Sequence, residues 1–189
     1  MENKKVLAIL GGPHPHGLTA AMLDRAVCAA ERAGCEVTRI NLYEKTIGFC
    51  MGCAACQRTG ACVRQDDIQE IAARLKESGT VILAAPVFWA NVPAAVKNLF
   101  DRLWGTAMGE TGAFPEPRLA GKRYLLLTAC NTPAPFSWLF NQSRGAVSRM
   151  EEFFRTAGMK PMGKFVCAGA AGRKELPERL ARRIERCWR

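Results

Sequence analysis

The sequence predicts a doubly wound α/β fold, in which a five-stranded parallel sheet is covered by helices on both faces. Apolar, strand-like runs alternate with segments of helical periodicity along the whole chain. A helix that connects two strands of one sheet forms a right-handed crossover and makes the strands parallel. With 189 residues, 49% of them hydrophobic, the chain can bury one core but is short for two. We therefore expect a single domain over residues 1–189.

Five apolar runs are predicted to form the strands. The first run stops at Gly11-Gly12-Pro13 and the third stops at Pro86, because glycine and proline favour turns. The second run alternates between apolar and polar residues, as a half-buried strand does. The predicted strands cover residues 5–10, 35–42, 80–85 and 123–129, and a fifth strand includes residues 164–168.

Five further segments have the residue spacing of helices. Asp67, with Glu70 three residues later, is typical of a capping box at a helix start. In the last segment Leu176, Leu180 and Ile184 recur every four residues, which predicts an amphipathic helix with a solvated basic face. The predicted helices cover residues 18–33, 67–77, 93–104, 138–157 and 175–188.

The functional site is expected at one edge of the sheet. In open parallel sheets, ligands bind outside the carboxyl ends of the strands, where the strand order reverses. The loops after the first, third and fourth strands should therefore form the site. A stretch rich in glycine and proline, residues 105–121, is long enough to be a functional flap or an oligomer contact.

The loop after the first strand is predicted to bind a monophosphate. Backbone N–H groups at a helix start, together with the positive end of the helix dipole, attract anions. The Gly-Lys-Ser/Thr pattern of nucleotide triphosphatases and the G-x-G-x-x-G dinucleotide fingerprint are both missing. The Thr19 hydroxyl can donate to a phosphate or cap the helix, and His14 can reach the phosphate as well. The candidate residues are Gly12, Pro13, His14, Gly17, Leu18 and Thr19.

The loop after the third strand carries two adjacent aromatic residues, Phe88 and Trp89. Aromatic side chains at this edge of a sheet can flank a flat heterocycle, while backbone amides bind its polar rim. Such an arrangement suits a flavin, although aromatic residues also serve in cores and interfaces. The candidate residues are Pro86, Val87, Phe88, Trp89 and Asn91.

Four cysteines lie close together after the second strand, in a cysteine-rich loop at residues 47–66. Cys50, Cys53, Cys56 and Cys62 have the spacing C-x2-C-x2-C-x5-C. Thiolates at this spacing can converge on a compact iron–sulfur cluster. A structural zinc site usually has two distant ligand pairs, and a second distant C-x2-C pair is missing from the sequence. Zinc binding and structural or redox-active thiols remain as alternatives.

The composition favours a reducing, aqueous compartment. The N-terminal residues form no long export segment, and no run has the roughly 18 apolar residues of a membrane helix. We therefore expect a cytoplasmic protein without membrane contact. Its thiols should be reduced, and Cys28, Cys35, Cys167 and Cys187 should pack as small hydrophobic residues.

The net charge of +10 raises the question of nucleic-acid binding. Much of the excess lies in the last predicted helix, where glutamates oppose the arginines. Such a pattern is typical of a solvated helix face. No nucleic-acid partner is therefore expected.

With these motifs in place, the chain resembles the flavodoxin-like NAD(P)H-dependent FMN reductases, and among them the iron–sulfur flavoproteins. The first loop is similar to the family's G-S-P-R-x-x-G-N-T, with matches at Gly11, Pro13, Gly17 and Thr19. It departs from that pattern where Gly12, His14 and Leu18 replace the usual serine, arginine and asparagine.

Three further segments carry the resemblance. The cysteine loop and Asp66-Asp67 are similar to the family's C-x-G-C-x-x-C-x-x-x-G-x-C-x-x-x-D-D, which is the most specific match. Pro86-Val87-Phe88 resembles the P-V-Y flavin loop. Lys97 with Asp101-Arg102 resembles the K-x-x-x-D-R helix that follows it.

The resemblance implies a flavodoxin-like fold, non-covalent FMN and a [4Fe–4S] cluster on the four cysteines. It also implies that Thr128, Ala129 and Cys130, after the fourth strand, complete the flavin pocket. The implied protein is a homodimeric or homotetrameric FMN oxidoreductase that passes electrons between FMN and the cluster. NAD(P)H is a possible donor, and a redox partner protein or a small molecule is the acceptor. No catalytic acid or base is assigned.

Two other functions stay open at this point. One is a cluster-free NAD(P)H-dependent reductase of free flavin or quinones. The other is a metal-binding or thiol-switch module without turnover, which the departures at Gly12, His14 and Leu18 motivate.

Overall fold

The computed structural model describes residues 3–110, 112 and 114–188. Five of its strands form one sheet in which every neighbouring pair is parallel, as predicted. Two short strands pair separately as an antiparallel hairpin. The strands are β1 (Lys5–Leu10), β2 (Glu36–Asn41), β3 (Thr80–Ala84), β4 (Met108–Glu110), β5 (Pro115–Pro117), β6 (Arg123–Cys130) and β7 (Lys160–Ala168).

Eight α-helices connect or flank these strands in the described part of the chain. They are α1 (Leu18–Arg32), α2 (Ala55–Thr59), α3 (Ile68–Glu77), α4 (Ala94–Arg102), α5 (Trp104–Ala107), α6 (Phe136–Leu139), α7 (Gln142–Thr156) and α8 (Glu178–Glu185). Short 3-10 turns follow β2 and α8, at Leu42–Glu44 and Arg186–Trp188.

The strand order is β2-β1-β3-β6-β7, so the chain reverses direction across the sheet between β1 and β3. In this fold class the ligand crevice lies at that reversal, outside the carboxyl ends of the strands. The loops after β1, β3 and β6 therefore meet at one edge, as the sequence predicts.

Each face of the sheet buries its own apolar cluster. On one face, residues of α3, α4 and α7 pack against the sheet, with Leu83 and Phe154 among the buried side chains. On the other face α1 and α8 pack against it, with Ala26 and Ile184 fully buried. Because both faces are covered, the central strands are apolar on both sides, as in β3, where every residue is buried.

The predicted helix over 138–157 is confirmed over α7 but not as one continuous helix, since α6 and α7 both occupy this region. Asn141 has φ +60°, in the left-handed region, and an α-helix cannot continue through such a residue. The chain therefore turns at Asn141, between α6 and α7. The predicted helix over 93–104 is also split, because α4 ends at Arg102 and α5 begins at Trp104.

The capping box at the start of α3 lies one residue earlier than predicted. The Asp66 carboxylate accepts the Ile68 N–H at 3.0 Å, and Gln69 Oε1 accepts the Asp66 N–H at 2.9 Å. Asp67 instead accepts the Thr46 N–H at 2.6 Å, and Glu70 pairs with Lys45 at 2.6 Å. Both predicted capping residues therefore bind the segment that follows β2.

The last helix begins at Glu178 rather than at residue 175, because Pro177 has extended backbone angles and serves as its N-cap. Cys28 is exposed on α1, so its predicted packing role is wrong; its neighbours Ala26 and Val27 face the core instead. Cys167 is buried as predicted. Cys35 and Cys187 are partly buried against the core.

The stretch 105–121 contains the β4–β5 hairpin. Residues 111 and 113 of this stretch lie outside the described residues, and its role as a flap or oligomer contact stays a prediction. Within the described ranges, every helix is too short or too polar to cross a membrane.

Candidate functional site

A cavity of about 460 Å³, called here the sheet-edge cavity, opens at the carboxyl ends of β1, β3 and β6. Its size falls in the range of small-molecule and cofactor sites. All predicted flavin-site residues except Asn91 and Thr128 line this cavity. They are Gly12, Pro13, His14, Gly17, Leu18, Thr19, Pro86, Val87, Phe88, Trp89, Ala129 and Cys130.

The two exceptions lie close by. Asn91 Oδ1 accepts its neighbour's N–H, that of Val92, at 2.8 Å, and Asn91 lines a different cavity. Thr128 is fully buried in β6, and its hydroxyl lacks a hydrogen-bond partner among the described residues. The structure therefore places both residues behind or beside the cavity wall.

The cavity wall also includes residues that the sequence analysis missed. Gln142 reaches it from the start of α7, and Arg173 reaches it from the loop after β7. The pair Arg173-Lys174 in the glycine- and alanine-rich loop after the fifth strand was an available signal, because that strand ends at the same edge of the sheet. The other missed residues are Ala90, Asn131, Thr132 and Ala170.

The first turn of α1 lies at the cavity wall and has the features of an anion-binding helix start. Gly17 is the N-cap and has no side chain that could accept from the first N–H groups, which lack partners inside the helix. No acidic residue lies in this turn, and Thr19, its second residue, is buried. Unpaired donors at the positive end of a 15-residue helix fit a phosphate group.

A tight turn at residues 88–91 forms another part of the wall through Phe88, Trp89 and Ala90. The N–H and C=O groups of Phe88 and Asn91 bond to each other in both directions, at 2.9 Å. The two central residues, Trp89 and Ala90, have φ +52° and +58°, as in a type I′ turn. Such turns prefer Asn and Gly, so this backbone is strained, and strained residues cluster at ligand sites.

The turn presents an aromatic ring to the outside. The Trp89 side chain is 100% exposed while it borders the cavity. A large apolar side chain held in solvent by a strained backbone is available to stack on a flat ligand. The Val87 N–H donates to Ala129 C=O at 3.0 Å, which aligns this loop with the end of β6.

The four predicted ligand cysteines line a second space of about 350 Å³, the cysteine cavity. Cys56 lies in α2, and the other three lie in the loop on either side of that helix. Phe49, Met51, Val63 and Trp104 complete much of the wall. Four thiols in a mainly apolar setting match the donor set that iron–sulfur clusters use.

The same thiols are not arranged as a site for a single ion. Among the described residues, no three His, Cys, Asp or Glu side chains lie close enough together to hold one metal ion. A tetrahedral zinc site needs its sulfur ligands about 2.3 Å from one centre. The zinc alternative therefore has no compact ligand group among the described residues.

Asp66 holds together the two ends of the cysteine loop. Its carboxylate accepts the N–H of Gly48, before the cysteines, at 3.1 Å and pairs with Arg102 of α4 at 2.7 Å. Burial raises the pKa of this carboxyl, but hydrogen bonds from Arg102, Ile68 and Gly48 outweigh that effect, so the pKa lies below its usual range. Asp66 is therefore held as an anion.

A third space of about 1050 Å³, the central cavity, is lined by residues of both the cysteine loop and the turn at residues 88–91. Asn91 lines it beside the turn of the sheet-edge cavity, and Cys50 lines both it and the cysteine cavity. Phe100 and Phe153, whose rings stack at 4.4 Å, form part of its wall. The flavin-type loop and the cysteine loop thus face one common space.

The comparison with curated proteins identifies several iron–sulfur flavoproteins as relatives. One from Archaeoglobus fulgidus is 40% identical over 99 residues, which are 52% of this chain and 45% of that protein. Another, MJ1083 from Methanocaldococcus jannaschii, is 38% identical over 98 residues, 52% of this chain and 51% of that protein. This chain spans about half the length of these relatives.

Solved structures share the fold over nearly the whole chain. An NAD(P)H:quinone oxidoreductase from Methanothermobacter marburgensis has a TM-score of 0.80 at 16% identity, with 98% of both chains covered. An FMN-dependent NADH-azoreductase from Bacillus anthracis in complex with FMN has a TM-score of 0.75 at 14% identity, covering 98% and 97%. Because a family model described as a flavodoxin-like fold matches residues 4–189, this chain belongs to that family.

Proposed function

We propose that this chain is an FMN-binding oxidoreductase that passes electrons between FMN in the sheet-edge cavity and a [4Fe–4S] cluster in the cysteine cavity. One observation carries the proposal: the central cavity is lined both by Cys50 of the cysteine cavity and by Asn91, the last residue of the turn whose other residues line the sheet-edge cavity. NAD(P)H is a possible electron donor, and a redox partner protein or a small molecule takes the electrons.

The residues of the sheet-edge cavity fit FMN. The first N–H groups of α1, the Thr19 hydroxyl and the Arg173 guanidinium would hold the phosphate. Phe88 and Trp89 would flank the ring, with Cys130 on the β6 side. When bound, FMN supplies the hydride and single-electron chemistry, while the protein binds and orients it.

The phosphate loop lacks side-chain hydrogen-bond donors that are usual in the family, but another loop of the cavity replaces one of them. Gly12, His14 and Leu18 lack the hydroxyl, guanidinium and amide groups that are usual at those positions. Arg173, which enters the cavity from a different loop, supplies a guanidinium to the same space. This observation favours FMN binding over a scaffold without turnover.

The first test is anaerobic purification followed by analysis for FMN, iron and acid-labile sulfide. The proposal expects about one FMN and about four iron and four sulfide per chain. A colourless protein that takes up neither FMN nor iron under reducing conditions would contradict it.

Two pairs of variants then test the assigned residues. Thr19→Ala should weaken FMN binding and leave cluster absorbance unchanged, whereas Cys53→Ser should remove the cluster and leave FMN binding unchanged. Thr38→Ala on β2 and Cys28→Ser on α1 make the same chemical changes away from both cavities. Loss of both cofactors in either test variant would mean that the residue supports folding rather than a ligand.

A second candidate function is a cluster-free NAD(P)H-dependent reductase of flavin or quinones. It is favoured by the lack of a compact group of three metal ligands in the described part of the chain. It is also favoured by the names of the structural neighbours, which include quinone reductases and azoreductases. A yellow, iron-free protein that oxidises NADH or NADPH with a quinone would support this candidate.

We propose in addition that the protein works as a homodimer or homotetramer. The short helix α6 exposes several large apolar side chains near the sheet-edge cavity, and exposed apolar patches mark association surfaces. Sedimentation of the FMN-loaded protein measures the assembly directly, and a monomer at micromolar concentration would contradict it. The exposed α6 residues are Phe136, Trp138 and Leu139, and Phe140 follows them.

A further inference from the structure

Arg102 is a buried cation that contacts one of the four ligand cysteines. Its side chain is only 1% exposed, and arginine is almost never fully buried unless it is paired. The charge is paired with Asp66, whose two oxygens accept from the guanidinium at 2.7 and 3.1 Å. The remaining Nε–H group donates to Cys62 Sγ at 3.3 Å. One donor of a neutralised ion pair is thus directed at a ligand sulfur.

The other guanidinium contacts fix this orientation. Nη1 donates to the Gly48 carbonyl at 2.5 Å, and Nη2 donates to the Arg64 carbonyl at 3.0 Å. Gly48 precedes the first ligand cysteine and Arg64 follows the last one, so Arg102 bridges both ends of the loop. The Nε–H group cannot turn away from Cys62 unless several of these bonds break.

A hydrogen bond donated to a ligand sulfur changes the reduction potential of the cluster. Addition of one electron to an iron–sulfur cluster increases the negative charge shared by the cluster and its thiolates. A hydrogen bond to a thiolate therefore stabilises the reduced form more than the oxidised form, which raises the reduction potential. Burial strengthens such a bond, because water does not screen it.

We propose that Arg102 is a positioning residue that raises the reduction potential of a cluster bound by Cys50, Cys53, Cys56 and Cys62, a role that rests on the proposed function. Arg102 itself touches no reacting atom of a substrate. It acts through the Cys62 sulfur and makes the cluster a better electron acceptor.

Arg64 provides the comparison that separates a hydrogen bond from a nearby charge. It also lines the cysteine cavity, but its side chain is exposed and donates to the Phe49 carbonyl rather than to a thiol. Arg64→Gln removes a positive charge and keeps the Arg102 contact. Arg102→Lys keeps the charge and removes the Nε–H donor and the fork to Asp66.

The experiment is a redox titration of anaerobically purified wild type, Arg102→Lys and Arg64→Gln, followed by electron paramagnetic resonance. At the wild-type midpoint potential, the ratio of reduced to oxidised cluster in Arg102→Lys should be about tenfold lower than in the wild type. This ratio corresponds to a midpoint potential lowered by about 59 mV for a one-electron couple. Arg64→Gln should shift by less than half as much. Iron content and the melting temperature of the metal-free protein show whether each variant is folded and loaded.

Two results would overturn the proposed role of Arg102 without affecting the proposed function. One is an unchanged midpoint potential in a loaded Arg102→Lys protein, and the other is an equal shift of the midpoint potential in Arg64→Gln. A wild type that binds FMN but no iron overturns it together with the cluster half of the proposed function. If Arg102→Lys does not load, Asp66→Asn decides the question. That variant keeps the donor and removes the opposing charge, so its midpoint should rise, and an unchanged or lower midpoint overturns the proposal.

Discussion

Gly145, in the first turn of α7, packs directly against the carbonyl oxygen of Ala90. A Cβ atom at Gly145 would lie 2.3 Å from that oxygen, a distance that no real contact allows. The helix and the strained turn at residues 88–91 are therefore in backbone contact. The position of α7 determines where Trp89 and Ala90 stand at the sheet-edge cavity.

Gly145→Ala should displace this turn and weaken FMN binding. The added methyl group cannot be accommodated unless the Ala90 backbone moves, and Ala90 lines the cavity. We expect the dissociation constant of FMN to rise at least tenfold, about 1.4 kcal/mol, while iron content stays unchanged. Fluorescence titration of the FMN-free protein measures the constant. Ser148→Ala, at an exposed position of the same helix, is the control, and equal affinities in both variants would contradict the prediction.

Gly105→Ala should disturb the cysteine cavity and leave the sheet-edge cavity intact. A Cβ atom at Gly105 would lie 2.3 Å from the carbonyl oxygen of Cys56, so α5 and the helix that carries this ligand cysteine are in backbone contact. The substitution should push α2 away and lower the iron content per chain by half or more, while FMN still binds. Iron analysis and FMN titration on one sample give both numbers. Normal iron loading in a folded variant would show that α2 adapts.

Ala90→Gly should stabilise the protein. Ala90 has φ +58°, and this region costs a non-glycine residue about 1–2 kcal/mol. The greater chain entropy of glycine in the unfolded state offsets about 0.5–1 kcal/mol, which leaves a net gain of about 0.5–1 kcal/mol in urea unfolding. Ala73→Gly, at an exposed position inside α3, should instead lose about 1 kcal/mol. A loss of stability in Ala90→Gly would mean that the turn is not strained.

Cysteine alkylation should separate the exposed thiols from the buried ones in the metal-free protein. Cys28, Cys50 and Cys53 are exposed, whereas Cys167 is 2% exposed and burial raises its pKa. Iodoacetamide reacts with the thiolate, so Cys167 should react more slowly than the exposed thiols at every pH at which the protein stays folded. Mass spectrometry of the digested protein gives the order. Reaction of Cys167 as fast as Cys28 would contradict the burial, and urea should make all nine cysteines reactive.

The strands and the site loops could be predicted because their signals are local. The run that ends at Gly11-Gly12-Pro13 became β1 with the predicted bounds, and the run before Pro86 became β3. Once the strands are known to be parallel, topology alone brings the loops after β1, β3 and β6 to one edge. For this reason most of the predicted flavin-site residues share one cavity.

The predictions that the structure did not confirm, and the residues that the sequence did not reveal, depend on the tertiary structure. Asn141 ends a helix because its backbone takes a left-handed conformation, and Arg173 enters the cavity because β7 ends at the same edge as β6. Asn141 alone does not indicate a break in the helix, and Arg173 points to the site only once the place of β7 in the sheet is known. The capping of α3 by Asp66 rather than Asp67 likewise depends on Thr46 and Lys45, which bind the residues that the spacing had assigned to the cap.

The sequence by itself determined the alternation of strands and helices, the cysteine spacing and the two candidate loops, because these follow from residue order and periodicity. Only the tertiary structure decided which residue faces which. Arg102 meets Cys62 forty positions away in the chain, and Gly145 meets Ala90 across an even larger separation. Contacts between distant residues depend on how whole elements pack, and no local pattern in the sequence records that packing.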